Sequence, residues 1–464
     1  MCETGGRLPA RPKPEETTML RFVKTCTVLA VVAASLAATA ADQPAKTHWV
    51  TSWAASVQGP YPVGNPSAQP NLSLVFPAPA SGAQDQSFRL IVKPELWGGR
   101  ARLRFSNALG TQPVTFDDAF VGLQWSGSAV LPGSNLAVTF GGKRTITVAP
   151  GASVWSDGVA LPFVKKGNEL RGRKLAVSFH VAGSSGPMTW HAKALQSSYV
   201  TLPGAGSKGA DLSEAAFPFA TASWYFLDAL DMVAPKGTGA IVAFGDSITD
   251  GTASTMNGDD RWPDVLARRL GAAAGAKRGG QRWVVVNAGI GGNQVIGPKD
   301  YSPQMPFAGG PSALDRLERD VLSLSGVKAV IWLEGTNDFS KNGNAEADAV
   351  IAGMHVGVTR IRAKIPGVKV IGATLTSALG SSSAAHGFEL QDQKRKKLND
   401  FIRNGGPFDG VADFDRATTD TVTGGMKAEF IPDNTVGGAG DKLHPNRMGY
   451  QAMGMAIDLG LFKR

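Results

Sequence analysis

One of the chain's six histidines stands three places after an acid, in Asp441-Lys442-Leu443-His444-Pro445-Asn446. Within a single turn that spacing lets the Asp441 carboxylate accept the ring Nδ1–H, which leaves Nε2 free as a general base. A base of this kind activates a hydroxyl, which alone is a weak nucleophile. The run Phe244-Gly245-Asp246-Ser247-Ile248-Thr249-Asp250-Gly251 holds such a hydroxyl at the end of an apolar stretch. There Gly245 permits close backbone approach, and Asp246 or Thr249 can fix the turn by local hydrogen bonds. Two more segments carry donors. Asn287-Ala288-Gly289-Ile290-Gly291-Gly292-Asn293 can present bare backbone N–H, and Gly335-Thr336-Asn337-Asp338 offers the Asn337 amide. A nucleophile, a base with its orienter, and donors for an oxyanion are together the parts of acyl transfer. Each motif alone also has an ordinary structural reading: a helix cap for Ser247, a cap or Asx-turn for Asn337, a positive-φ turn for the glycines, and an inert Asp-x-x-His pair. Of the other histidines, His355 reads as helix packing or surface, and His48, His180 and His191 lie far upstream. His386, in a Ser/Ala-rich loop, is a candidate for lining the site.

The elements that must position these residues are legible as an α/β alternation. From about residue 238 to 464, buried-type strands at 240–244, 283–287, 329–333, 368–374 and 411–414 alternate with helical stretches near 261–271, 311–324, 345–364, 388–403 and 446–459. Such alternation predicts a parallel sheet covered on both faces. In doubly wound sheets, ligands bind beyond the carboxyl ends of the strands. Ser247, the glycine loop and Asn337 each follow a strand at that edge. Asp441 and His444 precede the last helix, from where they can reach it. The region from about 46 to 235 has a different grammar: short alternating runs such as Ala101–Phe105, Val114–Phe116, Thr145–Val148 and Lys174–Phe179, punctuated by Gly, Pro, Ser and Asn. It predicts an all-β, sandwich-like domain. Pro235-Lys236-Gly237-Thr238-Gly239 suits the seam, and 57–87 reads as long loops.

Length and composition set the frame. A chain of 464 residues with 43% hydrophobic and 18% charged residues is ordinary globular material, enough for about two or three domains. The formal charge of +9 is diffuse. Its densest cluster, Lys394-Arg395-Lys396-Lys397, reads as a solvated helix face. Neither zinc-finger spacing nor aromatic-basic interleaving points to nucleic acid. At the N-terminus, Arg21 and Lys24, an apolar run from Val28 to Ala38 and the small residues through Ala41 follow the order of a secretory signal peptide. Residues 1–41 are assigned to it, with the signal at about 19–40, Met19 as an alternative start, and a secreted or periplasmic location. That run is too short for an ordinary membrane span. Both cysteines, Cys2 and Cys26, fall in this leader, so no disulfide is expected in the mature chain.

With these motifs in order and in context, the sequence resembles the SGNH hydrolases, also called GDSL lipases/acylhydrolases. The resemblance implies a three-layer α/β/α (flavodoxin-like) parallel sheet. It implies Ser247 as nucleophile, His444 as base, Asp441 as orienter, and an oxyanion hole of the Ser247 N–H, the Gly292 N–H and the Asn337 amide. Gly291 is the alternative register for the backbone donor. No metal or organic cofactor is required. Phrases such as Arg261–Leu266, Gly310–Leu314, Val411–Asp415 and the opening His48–Trp53 resemble a bacterial arylesterase/acylhydrolase subgroup similar to esterases found beside xylan-degrading systems. In that subgroup Ile is typical where this chain has Thr336.

The substrate readings stay open between an acetylesterase on acetylated polysaccharide, a broad short-chain carboxylesterase or arylesterase, and a lipase or polyester hydrolase. A catalytically silent glycan-binding protein on the same fold is the non-enzymatic alternative. Trp53, Trp97, Trp125, Trp155 and Trp190 are candidate sugar-stacking faces, with sandwich core as their ordinary reading. Loops 293–310, 375–388 and 418–440 are candidates for shaping an acyl pocket. The sequence does not settle oligomeric state.

Overall fold

The computed structural model of the chain describes residues 47–165, 170–275 and 282–463. The leader expected at 1–41, with both cysteines, lies outside them.

Five parallel strands carry the chemistry-bearing loops: β1 (Gly239–Gly245), β2 (Trp283–Gly289), β3 (Val327–Leu333), β4 (Lys369–Ala373) and β5 (Gly410–Ala412), in the spatial order β2-β1-β3-β4-β5. The order reverses at β1, so a crevice opens beyond the carboxyl ends of β1 and its neighbours. Residues within each strand alternate between two cores. Val242, Phe244, Val286, Val330, Trp332 and Val370 pack with α3 (Ala313–Leu317), α4 (Ala347–Lys364) and α5 (Glu389–Asn404). Their neighbours Ile241, Ala243, Val285, Ile331 and Ile371 pack with α2 (Trp262–Gly275), α6 (Phe414–Thr418) and α7 (Arg447–Ala456). Burial on both faces explains why these strands read as continuous apolar runs.

The region before Gly239 is antiparallel. Strands at Trp49–Ala54, Leu227–Val233, Arg100–Ser106 and Ser153–Trp155 form one sheet, and a larger one is built around Gln84–Val92, Leu175–Ser184 and Val114–Leu123. The two share an aromatic core in which Phe88 stacks on Phe179 at 5.3 Å and Phe105 meets Phe179 edge-on at 5.2 Å. This region does not stand apart from the parallel sheet. Val50, Ala54, Ala229 and Ala234 are buried in the same cluster as Val284 and Val286. Asp231, fully buried, accepts from Thr51, Arg102 and Ser325, so it ties the antiparallel sheet to the turn before β3.

Several expectations need correction. The helix expected over 311–324 is α3 followed by a π-helical turn at Glu318–Leu322; Arg316 of α3 and Arg319 of the turn both reach forward to Asp320. The last helix stops at Ala456, where Ile457 turns extended, and a short 3-10 turn follows at Leu459–Phe462. The basic cluster in α5 is not one solvated face. Arg395 is buried between Asp392 and Asp415, and only Lys396 and Lys397 are well exposed. Among the tryptophans, Trp53, Trp97 and Trp190 are core. Arg102 and Arg104 cover Trp155. Trp125 alone of the five is open, at 65% exposure. Among the described residues no helix is long and apolar enough to cross a membrane.

Candidate active site

Strand β1 runs into a turn that only glycine permits at Gly245. A Cβ there would stand 2.2 Å from the Leu333 carbonyl oxygen and 2.4 Å from Thr249 Oγ1. Asp246, not Ser247, caps the short α1 (Ser247–Asp250), its Oδ1 accepting the Ile248 N–H at 2.9 Å. Ser247 is therefore the first helical residue, with its hydroxyl free of the capping role. Its Oγ lies 2.9 Å from His444 Nε2. The other ring nitrogen, Nδ1, is 2.6 Å from Asp441 Oδ2. Asp441 Oδ1 meanwhile accepts the backbone N–H groups of Leu443 and His444, each at 2.9 Å. Burial would raise the Asp441 carboxyl, but the His444 hydrogen bond and charge, with those two N–H groups, outweigh it and hold the group well below the usual carboxylate range. A charged Asp441 selects the tautomer protonated at Nδ1, so Nε2 faces Ser247 as an acceptor. Asn446 caps α7 through the N–H groups of Met448 and Gly449, which anchors the turn carrying His444.

The donors gather opposite. Gly291 N–H is already used, donating to Asp250 Oδ2 at 3.0 Å. The next residue, Gly292, has φ +87°, and a Cβ on it would stand 2.6 Å from Asn65 Nδ2. Its N–H and that of Ser247 meet no acceptor among the described residues. Asn337 Nδ2 gives one hydrogen to the Asn293 carbonyl at 2.9 Å, which leaves the second for a ligand. The Asp338 carboxylate accepts the N–H groups of Val295 (2.8 Å) and Ile296 (3.1 Å), pinning the far side of the glycine loop.

Arg316, fully buried, binds these loops together. Its Nε donates to Asn293 Oδ1 (2.6 Å), Nη1 to the Ala288 carbonyl (2.8 Å) and Nη2 to the Gly245 carbonyl (2.8 Å). Asp320 and Glu334 balance its charge at 3.1 Å and 3.6 Å. The guanidinium lies 4.1 Å from the Phe244 ring centroid. Sequence reasoning placed Arg316 only as part of a helix. The available signal was an Arg placed between the apolar positions Ala313, Leu317 and Val321 that face the core.

The antiparallel region also reaches in, which the sequence did not foretell. His191 Nε2 is 3.1 Å from Asp250 Oδ1. Burial opposes its protonation, but the Asp250 charge and hydrogen bond win, so its pKa is raised. Asn65 donates to the Gly291 carbonyl at 2.7 Å, and Lys193 Nζ to Thr252 Oγ1 at 2.5 Å. His386 is near but not part of the Ser247–His444 chain. It pairs with Gln391 at 2.8 Å, and burial, then the His444 charge, lowers its pKa to about 4. Adjoining Thr336, a small cleft of about 10 Å³ is lined by apolar Phe339, Leu375, Ala378, Leu379 and Phe388 and by polar Gln391, Asp392 and Arg395.

Residues 243–452 match the model of the GDSL-like Lipase/Acylhydrolase family. A search of curated proteins finds no match to the chain. Similar solved structures include an aryl esterase of M. smegmatis at 20% identity, covering 47% of this chain and 95% of that one with a TM-score of 0.35. A carbohydrate acetylesterase from Sinorhizobium meliloti is 17% identical, over 47% of this chain and 95% of that one, with a TM-score of 0.33. A lipase/acylhydrolase from Enterococcus faecalis is 22% identical, over 47% and 92%, with a TM-score of 0.34.

Two tests follow from the site's electrostatics. Removing Arg316 leaves buried Glu334 without its cation and strands two strand-end carbonyls, so Arg316→Met should cost about 3–5 kcal/mol in urea unfolding; an unchanged midpoint would contradict the clamp. Burial, then the Glu334 and Asp338 charges, pushes Asp246 up to about 8 despite the Ile248 N–H. A raised carboxyl stabilises the fold fully below its unfolded pKa of about 4, and that contribution is lost as pH climbs through about 8. The melting temperature of Asp246→Asn should therefore fall less between pH 5 and pH 8 than that of the wild type. Parallel curves would refute the shift.

Proposed function

We propose that this protein is an exported serine ester hydrolase acting on short-chain or acetyl esters, acetylated polysaccharide among them, a reading supported by the match of residues 243–452 to the GDSL-like lipase/acylhydrolase model. Ser247 attacks the ester carbonyl while His444 Nε2 takes its proton, and Asp441 holds the imidazolium that forms. The developing oxyanion is met by the Ser247 N–H, the Gly292 N–H and the free hydrogen of the Asn337 amide. His444 then returns the proton to the leaving alcohol, and water repeats the sequence on the acyl-enzyme. One observation carries this reading: the unbroken chain from Ser247 Oγ to His444 (2.9 Å) to Asp441 (2.6 Å).

Gly292 rather than Gly291 is the backbone donor in this proposal, since Asp250 occupies the Gly291 N–H. The catalytic domain is taken as 238–464, a three-layer α/β/α unit, and the β domain as 46–235. Export rests on the signal-like segment at 19–40.

Kinetics on p-nitrophenyl acetate, butyrate and octanoate test the reading. Acetate or butyrate should be preferred over octanoate. Ser247→Ala should lose at least about a thousandfold in kcat, and Asn337→Ala about a hundred- to a thousandfold. A Ser247→Ala protein as active as the wild type would exclude the mechanism, and a preference for octanoate would exclude the short-chain assignment.

A further inference from the structure

Two side chains of the antiparallel region lie against the glycine loop with hydrogen-bonding capacity unspent. Lys193 is 4% exposed. Its Nζ stands 3.1 Å from the point where a Cβ on Gly291 would be. An ammonium carries three N–H donors, and among the described residues the acceptor it meets is Thr252 Oγ1 at 2.5 Å. Thr252 in turn donates its backbone N–H to the Ser247 carbonyl at 3.0 Å, so Lys193 is one residue contact from the nucleophile's own turn. Asn65 Nδ2 donates to the Gly291 carbonyl at 2.7 Å and crowds Gly292. Its Oδ1 meets no donor among the described residues. The glycine loop thus has a cationic donor and an amide acceptor beside it, on the side supplied by the antiparallel region.

A buried ammonium with unused donors is costly unless something accepts from it. Acids already surround it. Burial lowers the Lys193 pKa and outweighs the opposing charges, Asp250 and Asp441 foremost. An added carboxylate would meet those same acids, so the remaining need is for neutral oxygen acceptors. Sugar hydroxyls fit, since each both accepts from Lys193 and donates to Asn65.

We propose that Asn65 and Lys193 form a specificity subsite, built by the β-rich region onto the catalytic loop, that binds hydroxyl oxygens next to the scissile ester and selects neutral polyhydroxylated esters. The inference rests on the ester-hydrolase reading above and deepens it to a substrate class.

The test compares kcat/KM on acetylated xylo-oligosaccharides, on acetylated galacturonic-acid oligosaccharides and on p-nitrophenyl acetate. The first sugar is neutral, the second bears carboxylates, and the aryl ester has no hydroxyls. In Lys193→Met and in Asn65→Ala, the ratio of neutral-sugar ester to aryl ester should fall by about tenfold or more. Circular dichroism verifies folding, and Asn65, in a half-buried loop, serves where Lys193→Met does not fold. A ratio within about twofold of wild type in a folded variant would overturn the subsite. So would wild-type preference for the carboxylate-bearing ester. Ser247→Ala run on the same esters separates the two levels: turnover surviving in that variant refutes the ester-hydrolase reading itself, whereas a Ser247-dependent enzyme with unchanged ratios refutes only the subsite.

Discussion

A guanidinium buried away from solvent needs acceptors for its N–H groups, and Arg316 finds several of them at the ends of the strands themselves. The Gly245 carbonyl closes β1, the Ala288 carbonyl lies at the end of β2, and Asn293 closes the glycine loop. Each hydrogen bond fixes the spot from which a site loop departs. Charge-assisted bonds of this kind are about twice as strong as neutral ones, and losing any acceptor would strand a buried cation. Ser247 and the unspent donors, Gly292 N–H and Asn337 Nδ2, are thus held at one spacing by a residue that makes no hydrogen bond to Ser247. The Asp338 carboxylate continues the same logic on the opposite flank, where it holds Val295 and Ile296.

The antiparallel region belongs to this arrangement. Asp250 spends one oxygen on the Gly291 N–H and the other on His191, so the choice of Gly292 as the free donor depends on a histidine from the first half of the chain. Shared burial of Val50, Ala54 and Ala229 with the parallel sheet, and the Asp231 tie to Ser325, keep that histidine in place. The consequence is chemical as well as mechanical, because Asn65 and Lys193 arrive by the same route.

The parallel strands and the residues at their ends were legible in the sequence because both signals are local. Apolar runs of three to seven residues mark buried strands, and Gly-Asp-Ser, Gly-Gly-Asn, Thr-Asn-Asp and Asp-x-x-His are each contained within a single short turn. The edge rule for doubly wound sheets then brings them together. What stayed hidden is non-local. Nothing near Asn65 or Lys193 announces a contact with Gly291 or Thr252, which follow in sequence by 226 and 59 positions. Arg395 looked solvated because its partner Asp415 is on another element. The tryptophans looked equally available, and packing alone separates exposed Trp125 from buried Trp190. Side-chain burial is decided by tertiary neighbours that period and composition do not encode.

Covalent trapping tests most directly the proposal that Ser247 is a nucleophile activated by His444. The protein would be treated with a p-nitrophenyl phosphonate ester, weighed intact by mass spectrometry and mapped by peptide digestion. The expected result is one adduct per chain on Ser247, formed much more slowly in His444→Ala. Absence of an adduct, or an adduct on another serine, would contradict the assignment.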